Sequence, residues 1–356
     1  MPRLRRRHAS AREVSPARHG LTIDVHTHVL PPSWPDLGAR YGYGGFVQLE
    51  PDGAERARMM RDGQCFRVVE SNCWSAERRL AECERDGVDV QVLSTVPVMF
   101  SYWAKPADAL DLARLLNDHV AGMVAEHPTR FVGLGTLPLQ DTDLALGELE
   151  RAVVDLRLAG VQIGTHVNGE NLDRAELFPV FEHAARLGAA VFVHPWDMLS
   201  RERMTRYWLP WLVGMPTETT LAICSLILGG VLERLPELRV GFAHGGGSFP
   251  GILGRIEHGF RVRPDLVAAH SGLPPSAYLR RMYFDSLVHD PRALRSLLEL
   301  VGVERVFLGS DYPFPLGEQP PGRAIAALDE LGREARARLL GGTALEFLRL
   351  DPARFR

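Results

Sequence analysis

The chain is almost without lysine: of 41 basic residues only Lys105 is one, and the other 40 are arginines. Any mechanism that requires a lysine must therefore use that residue. Its four cysteines, Cys65, Cys73, Cys83 and Cys224, form no CxxC pair, so zinc-finger and thioredoxin-like readings have no support. Four reduced thiols suit a cytoplasmic protein. The formal charge is only -3, which excludes an electrostatic nucleic-acid binder. No apolar run reaches the roughly 18 to 20 residues that cross a bilayer. LAICSLILGGVL comes nearest and is too short, so no membrane partner is expected.

What the chain does have is the balance of a globular enzyme, 46% hydrophobic and 24% charged. Residues 1–20 hold six arginines and one glutamate; they resemble an Arg-rich transit peptide but lack its amphipathic pattern, and read as a disordered tail. From residue 21, β-branched runs alternate with stretches of helical period. Eight runs are found, at 21–27, 88–95, 131–136, 160–164, 190–193, 239–243, 281–285 and 305–309. Eight βα units predict an α/β fold, a closed (β/α)8 TIM-type barrel over 21–350. An open doubly wound sheet is the alternative, without a GxGxxG after the first strand to support it. Residues 38–75 break the repeat with glycine and aromatics and predict a small β insertion over the barrel mouth. Residues 199–220 predict a long loop after the fifth strand.

The first strand carries His26 and His28 two apart, hence on one face. By itself this is a weak signal. His194 closes the fifth strand, His244 the sixth and Asp311 the eighth, and in a parallel barrel these C-terminal ends converge on one mouth. Polar residues ending buried apolar strands are costly unless paired or coordinated. His26, His28, His194 and Asp311 thus suit a three-histidine, one-carboxylate metal site with one open position. His166 and Asp285 compete for supporting roles. Asp24 is expected to turn from the inner face and orient neighbouring groups. Binuclear sites of this architecture use a strand-end lysine, and Lys105 lies in a loop, so one ion per chain is favoured. With four ligands assigned, His244 is left for proton transfer. Arg67 in the insertion and Arg255 in the helix after the sixth strand are two of many arginines able to clamp a carboxylate; chemistry alone does not single them out.

Long blocks then carry a resemblance: YGYGGFVQL, STVPVMFSYWAKP, FVGLGTLP, GVQIGTH, FVHPWDM, YWLPWLVGMP, FAHGGGSFP and GSDYPFPLGE. Through them the chain, from about residue 21 to 350, resembles the aminocarboxymuconate-semialdehyde decarboxylase family of the amidohydrolase superfamily. The resemblance implies a Zn2+ held by His26, His28, His194 and Asp311, with His244 acting on its water. It implies no organic cofactor. It also implies that Arg67 and Arg255 bind the carboxylates of a dicarboxylate substrate, Arg255 being supplied across a homodimer interface. Trp211, Met198 and Phe314 fall in blocks that line the family's pocket. Where the family tends to carry a lysine before FRVV, this chain has Arg61 and Gln64. The expected reaction is non-oxidative decarboxylation of 2-amino-3-carboxymuconate 6-semialdehyde. Decarboxylation of an aromatic acid, hydrolysis of an amide, ester or lactone, and a non-catalytic metal-binding scaffold are the competing readings.

Overall fold

The computed structural model describes residues 20–355, so the arginine-rich tail lies outside the described residues apart from Gly20. Eight strands, each parallel to the next in the sheet, follow in chain order: β1 (Ile23–Val29), β2 (Val90–Thr95), β3 (Phe131–Gly135), β4 (Gly160–Gly164), β5 (Ala190–His194), β6 (Arg239–Phe242), β7 (Met282–Asp285) and β8 (Val306–Phe307). Closure comes from Val25 N–H, which donates to Leu308 O at 2.9 Å, and from a parallel bridge between Thr27 and Tyr312. All eight sequence runs become barrel strands, and β1 to β5, β7 and β8 are buried at every position. That burial explains their near-continuous apolar character, since helices cover the outer face and side chains fill the inner one. Gly160 begins β4 because a Cβ there would lie 2.0 Å from Ala190 O on β5.

The helices that matter for the site are α1 (Ala76–Asp86), α2 (Pro106–Glu126), α3 (Phe178–Leu187), α4 (Met215–Leu228), α5 (Phe249–Val262) and α6 (Pro291–Val301). In α2 a proline occupies the first turn, where its missing N–H costs nothing, and Leu112, Leu116, Val120 and Met123 form the buried stripe. α3 stops at Gly188 in the left-handed conformation, φ 64°.

After β1, strands Val47–Pro51, Arg56–Arg61 and Gln64–Glu70 form an antiparallel meander. Its apolar face (Val47, Ala57, Met59, Val69) joins one cluster with Val96 and Met99 beyond β2 and Phe314 beyond β8. The insertion therefore sits on the C-terminal rim of the barrel.

The segment after β5 departs from expectation. It is irregular only to about residue 209; a π-helical turn, Pro210–Gly214, then leads directly into α4. Pro210 and Pro216 each lie in the first turn of a helical segment, where proline is tolerated. The apolar stretch is consequently longer than the twelve residues read from sequence: Pro210–Leu228 is a 19-residue helix that meets the length and composition of a membrane span, half of it buried inside the protein. Ala222, Ile223, Leu226 and Ile227 of this helix belong to the barrel's main core cluster, which accounts for its apolar composition.

Candidate active site

His26 and His28 project from β1, His194 ends β5, and Asp311 follows β8. All four are buried, and one donor atom from each lies within 4.8 Å of the others. Each imidazole is oriented through its Nδ1: His26 toward Asp285 Oδ2 at 2.7 Å, His28 toward Thr95 O at 3.1 Å and His194 toward Pro195 O at 2.9 Å. Backbone carbonyls only accept, so Nδ1 of His28 and His194 must carry the proton and Nε2 must present a lone pair. The Nε2 atoms of His26 and His28 stand 3.2 Å apart, and Asp311 Oδ1 lies 3.0 Å from His28 Nε2 and 3.4 Å from His26 Nε2. Buried His194 Nε2 has no hydrogen-bond partner among the described residues. Lone pairs converging at these distances repel unless a cation lies between them. The residues present fit a divalent metal ion.

Charge within the cluster leads to the same conclusion. Burial pushes the Asp311 carboxyl up, but the adjoining His26 and His28 rings hold it well below the usual carboxylate range. Burial likewise disfavours protonated His26, and its contacts with Asp285 and Asp311 overcome this, raising it to about 10. His28 and His194 are both depressed, chiefly by burial. A proton on His26 thus compensates the buried carboxylates in the metal-free cluster, and a cation coordinated there takes over that role.

His244 stands at the end of β6, its ring centroid 5.2 Å from that of His26 and 5.1 Å from that of His194. Its Nε2 is 4.0 Å from Asp311 Oδ2, while its buried Nδ1 has no partner. Burial and the His26 charge lower its pKa to about 4, so the ring is neutral, and able to accept a proton, through the physiological range. Both His244 and Asp311 adopt left-handed backbone, φ 57° and 59°, a conformation uncommon for residues other than glycine. Asp285 supports this arrangement. Besides orienting His26, it accepts the backbone N–H of His244 at 2.9 Å and of Gly245 at 2.7 Å. Gly245 admits no side chain, because Val288 Cγ1 lies 2.3 Å from where its Cβ would stand.

Asp24 behaves differently from a residue in a regular strand, where period two would align it with His26 and His28. The β1–β2 register shifts between Asp24 and Thr27. The carboxylate instead accepts the N–H of His26 at 3.3 Å and of Ser310 at 3.0 Å, together with the Ser310 hydroxyl, and so ties β1 to the chain just before Asp311. His166 stays outside the cluster, bonded to Asp197 O and Gly169 N–H at 3.0 Å each. Lys105 begins α2, its Nζ 4.8 Å from the centre of the Tyr43 ring, away from the metal donors.

Arg67 comes from the last strand of the insertion and lines one cavity with His28, His194 and Asp311. Its guanidinium lies 4.5 Å from the Phe314 ring centre and 5.8 Å from that of Trp211. It has no ion-pair partner among the described residues, and burial depresses its pKa although the Asp311 charge partly offsets this, so the cation faces the cavity without a paired carboxylate. Trp211 and Phe314 line the same cavity. Met198 does not: it is buried beneath that wall, its Cγ 2.8 Å from where a Cβ on Gly214 would lie. Arg255 is exposed on α5, away from the cavity of its own chain.

Sequence reasoning missed Trp196, Trp208, Met215 and Leu316 in this wall; their only sign was their place in the aromatic loops. It also missed Arg79 on α1, fully buried without a carboxylate partner. Arg79 donates to His28 O at 2.7 Å, Thr27 Oγ1 at 3.0 Å and Asn72 O at 3.0 Å, tying the ligand strand to the end of the insertion.

An amidohydrolase family model matches residues 23–350. The chain is 57% identical to a 2-amino-3-carboxymuconate-6-semialdehyde decarboxylase of Dictyostelium discoideum, over 94% of this chain and 93% of that protein. It is 39% identical to the protein of that name from Caenorhabditis elegans, over 95% and 97%. Among solved structures, the 5-carboxyvanillate decarboxylase of Sphingomonas paucimobilis superposes with a TM-score of 0.79 at 27% identity, over 93% and 99%. The chain belongs to the amidohydrolase family and, within it, to the group of 2-amino-3-carboxymuconate-6-semialdehyde decarboxylases.

Proposed function

We propose that this chain is a carboxy-lyase that converts 2-amino-3-carboxymuconate 6-semialdehyde to 2-aminomuconate 6-semialdehyde and carbon dioxide. The observation that carries the reading is the placement of Arg67, a cation without an ion-pair partner among the described residues, beside a four-donor metal site that a neutral histidine adjoins. This is what an anionic substrate requires if it is to be held at the point of proton transfer.

His26, His28, His194 and Asp311 would hold the ion, which when bound supplies Lewis acidity and lowers the pKa of water at the site to about 7. Three imidazoles and one carboxylate suit zinc, and one donor set per chain suits a single ion. His244 accepts a proton as water adds across the conjugated double bond, and the neighbouring carbon, which carries the departing carboxylate, is protonated. The C–CO2 electron pair then re-forms the double bond as hydroxide leaves and takes up one proton from solvent, so carbon dioxide departs and water is regenerated. Arg67 orients the carboxylates, while Trp211 and Phe314 cover the planar substrate.

Arg255 is assigned to the neighbouring subunit's pocket in a homodimer. It is exposed, has no ion-pair partner among the described residues, and shares α5 with the exposed apolar Ile252 and Val262. Arg61, half-buried on the insertion where the family tends to carry lysine, keeps a positive charge near the mouth. The four free thiols suit a cytoplasmic location.

Metal analysis alongside a spectrophotometric assay of semialdehyde loss tests the reading. Zinc near one per chain, with turnover of the semialdehyde far above that of a lactone or a hydroxybenzoate, is expected. Turnover of only the hydroxybenzoate or only the lactone would replace it with the aromatic-acid or hydrolytic reading, and no turnover by zinc-loaded protein with the scaffold reading.

A further inference from the structure

Adjoining the Arg67 cavity, and lined by His244, lies a larger, mostly apolar one of about 310 Å³. The two are not independent, because Trp211, Met215 and Leu316 line both. Its side chains with polar atoms are His244, His289 and Trp211, the last through its indole N–H. His289 is exposed, adopts left-handed backbone with φ 59°, and makes no hydrogen bond among the described residues. Its neighbour Asp290 is already engaged, capping α6 through Arg292 N–H at 2.7 Å. The loop bearing His289 is anchored to the active site, since Leu287 N–H donates to Asp285 Oδ1 at 3.1 Å and Val288 fills the space over Gly245.

Resting on the decarboxylase reading above, we infer that this second cavity is the subsite for the semialdehyde end of the substrate, and that His289 is a substrate-positioning residue that donates a hydrogen bond to the aldehyde oxygen. The chemistry of the two cavities divides the substrate. The carboxylates need the cation in the Arg67 cavity, and the conjugated carbon chain that leads away from them needs an apolar slot. The slot must end in a single donor, because the aldehyde oxygen only accepts. His289 supplies such a donor in a mostly apolar wall where His244 is already assigned to proton transfer, and its uncommon backbone conformation persists where surrounding structure over-determines it.

The test compares His289→Gly and His289→Asn with the wild type. Glycine suits the left-handed backbone and removes the donor, whereas asparagine tolerates the same backbone and restores an N–H. Two ligands are used: the semialdehyde substrate, and a planar pyridine dicarboxylate that has both carboxylates and no aldehyde. For His289→Gly, kcat/KM for the semialdehyde should fall about three- to tenfold, the range of one net hydrogen bond, mostly through KM. Inhibition by the dicarboxylate should stay within twofold of wild type, and His289→Asn should recover most of the loss. A glycine variant with kcat/KM within twofold of wild type overturns the assignment. So does an equal weakening for both ligands, which would mark a structural role for the loop, or an asparagine variant no better than glycine. Absence of semialdehyde turnover by the wild type overturns the decarboxylase reading itself and the subsite with it, a result distinct from a wild-type enzyme indifferent to the change at His289.

Discussion

The floor of the site and its walls are built by different means. The floor is strand: His26, His28 and His194 extend from β1 and β5, and Nδ1 of each meets a fixed acceptor. The walls are loop and insertion: Arg67 reaches in from a three-stranded meander, Trp211 from a π-helical turn, and Phe314 from the chain after β8. A barrel strand is held on both sides by its neighbours, so a side chain at its end has almost no freedom and can meet the geometry of a metal. Loops over the rim can vary in length and sequence without disturbing that floor. The contrast predicts that damage to the floor abolishes the chemistry, whereas damage to the walls alters which molecule is held and how well.

The largest effect should follow removal of a donor. Asp311→Ala takes one of the four donors and the anion that the imidazoles surround, and is expected to lose most metal and essentially all turnover, both measured on one purified sample. Two tightly bound metals per chain that activity requires would contradict the single-site floor altogether.

Next comes His244, in contact with the floor but outside the donor set. His244→Ala should keep its zinc and lose about 10² to 10⁴ in rate, the usual worth of a positioned proton-transfer group. The pH dependence follows from the same environment. The folded pKa is lowered to about 4 from the ordinary 6.5, so the neutral base persists as pH falls through 6.5. The acid limb of kcat/KM for wild type should therefore lie well below pH 6.5, and a limb centred at 6.5 would remove His244 from that role. The sign for stability is the reverse of a histidine that gains an acidic partner: the unfolded chain takes up the proton first, so this group lowers stability as pH drops from 6.5 toward 4.

These residues also mark how far the sequence could be read. Eight strands and all four donors were legible because buried parallel strands are apolar runs and the donors end them. Asp311 and His244 were legible as identities but not as conformations, since nothing in a string of letters reveals a φ of 59° or 57°. Asp285 stayed ambiguous because its worth lies in binding four separate groups, His26 Nδ1 and the N–H of His244, Gly245 and Leu287, three of which are backbone and invisible to motif logic. Asp24 orients its neighbours as expected, although strict period two would align it with His26 and His28; the register shift in β1 breaks that parity. Pro210 and Pro216 hid a helix because proline opens helices as readily as it interrupts them.

The walls give a smaller and more divided effect. Arg67→Ala and Arg255→Ala should each lower kcat/KM by about 10- to 100-fold, from the roughly 1.5 to 3 kcal/mol of a hydrogen bond to a charged group. If Arg255 serves the neighbouring pocket, mixing the two variants places both lesions in one pocket of a heterodimer and none in the other. With random exchange about half the dimers are mixed, and activity should recover to roughly a quarter of wild type, assuming symmetric pairing and independent sites. No recovery despite demonstrated exchange would return Arg255 to its own chain.

The smallest effect separates a wall residue from one that merely supports the wall. Met198 lies in a block that resembles the family's pocket lining, yet here it is 2% exposed and packs under Gly214. Leucine conserves most of its volume and apolar surface, and volume-conserving core exchanges usually cost less than 1.5 kcal/mol of stability. Met198→Leu should therefore lower the melting temperature slightly while leaving kcat and KM within about twofold of wild type. Phe314→Leu removes an aromatic face that stands 4.5 Å from the Arg67 guanidinium; a cation–π contact of this kind is worth about 0.5 to 2 kcal/mol. That variant should raise KM and also lower the melting temperature, because the ring is part of the buried cluster that seats the insertion. Parallel thermal and kinetic measurements of both variants distinguish the roles. A Met198→Leu enzyme with a raised KM and an unchanged melting temperature would move Met198 into the wall and redraw the boundary between lining and support.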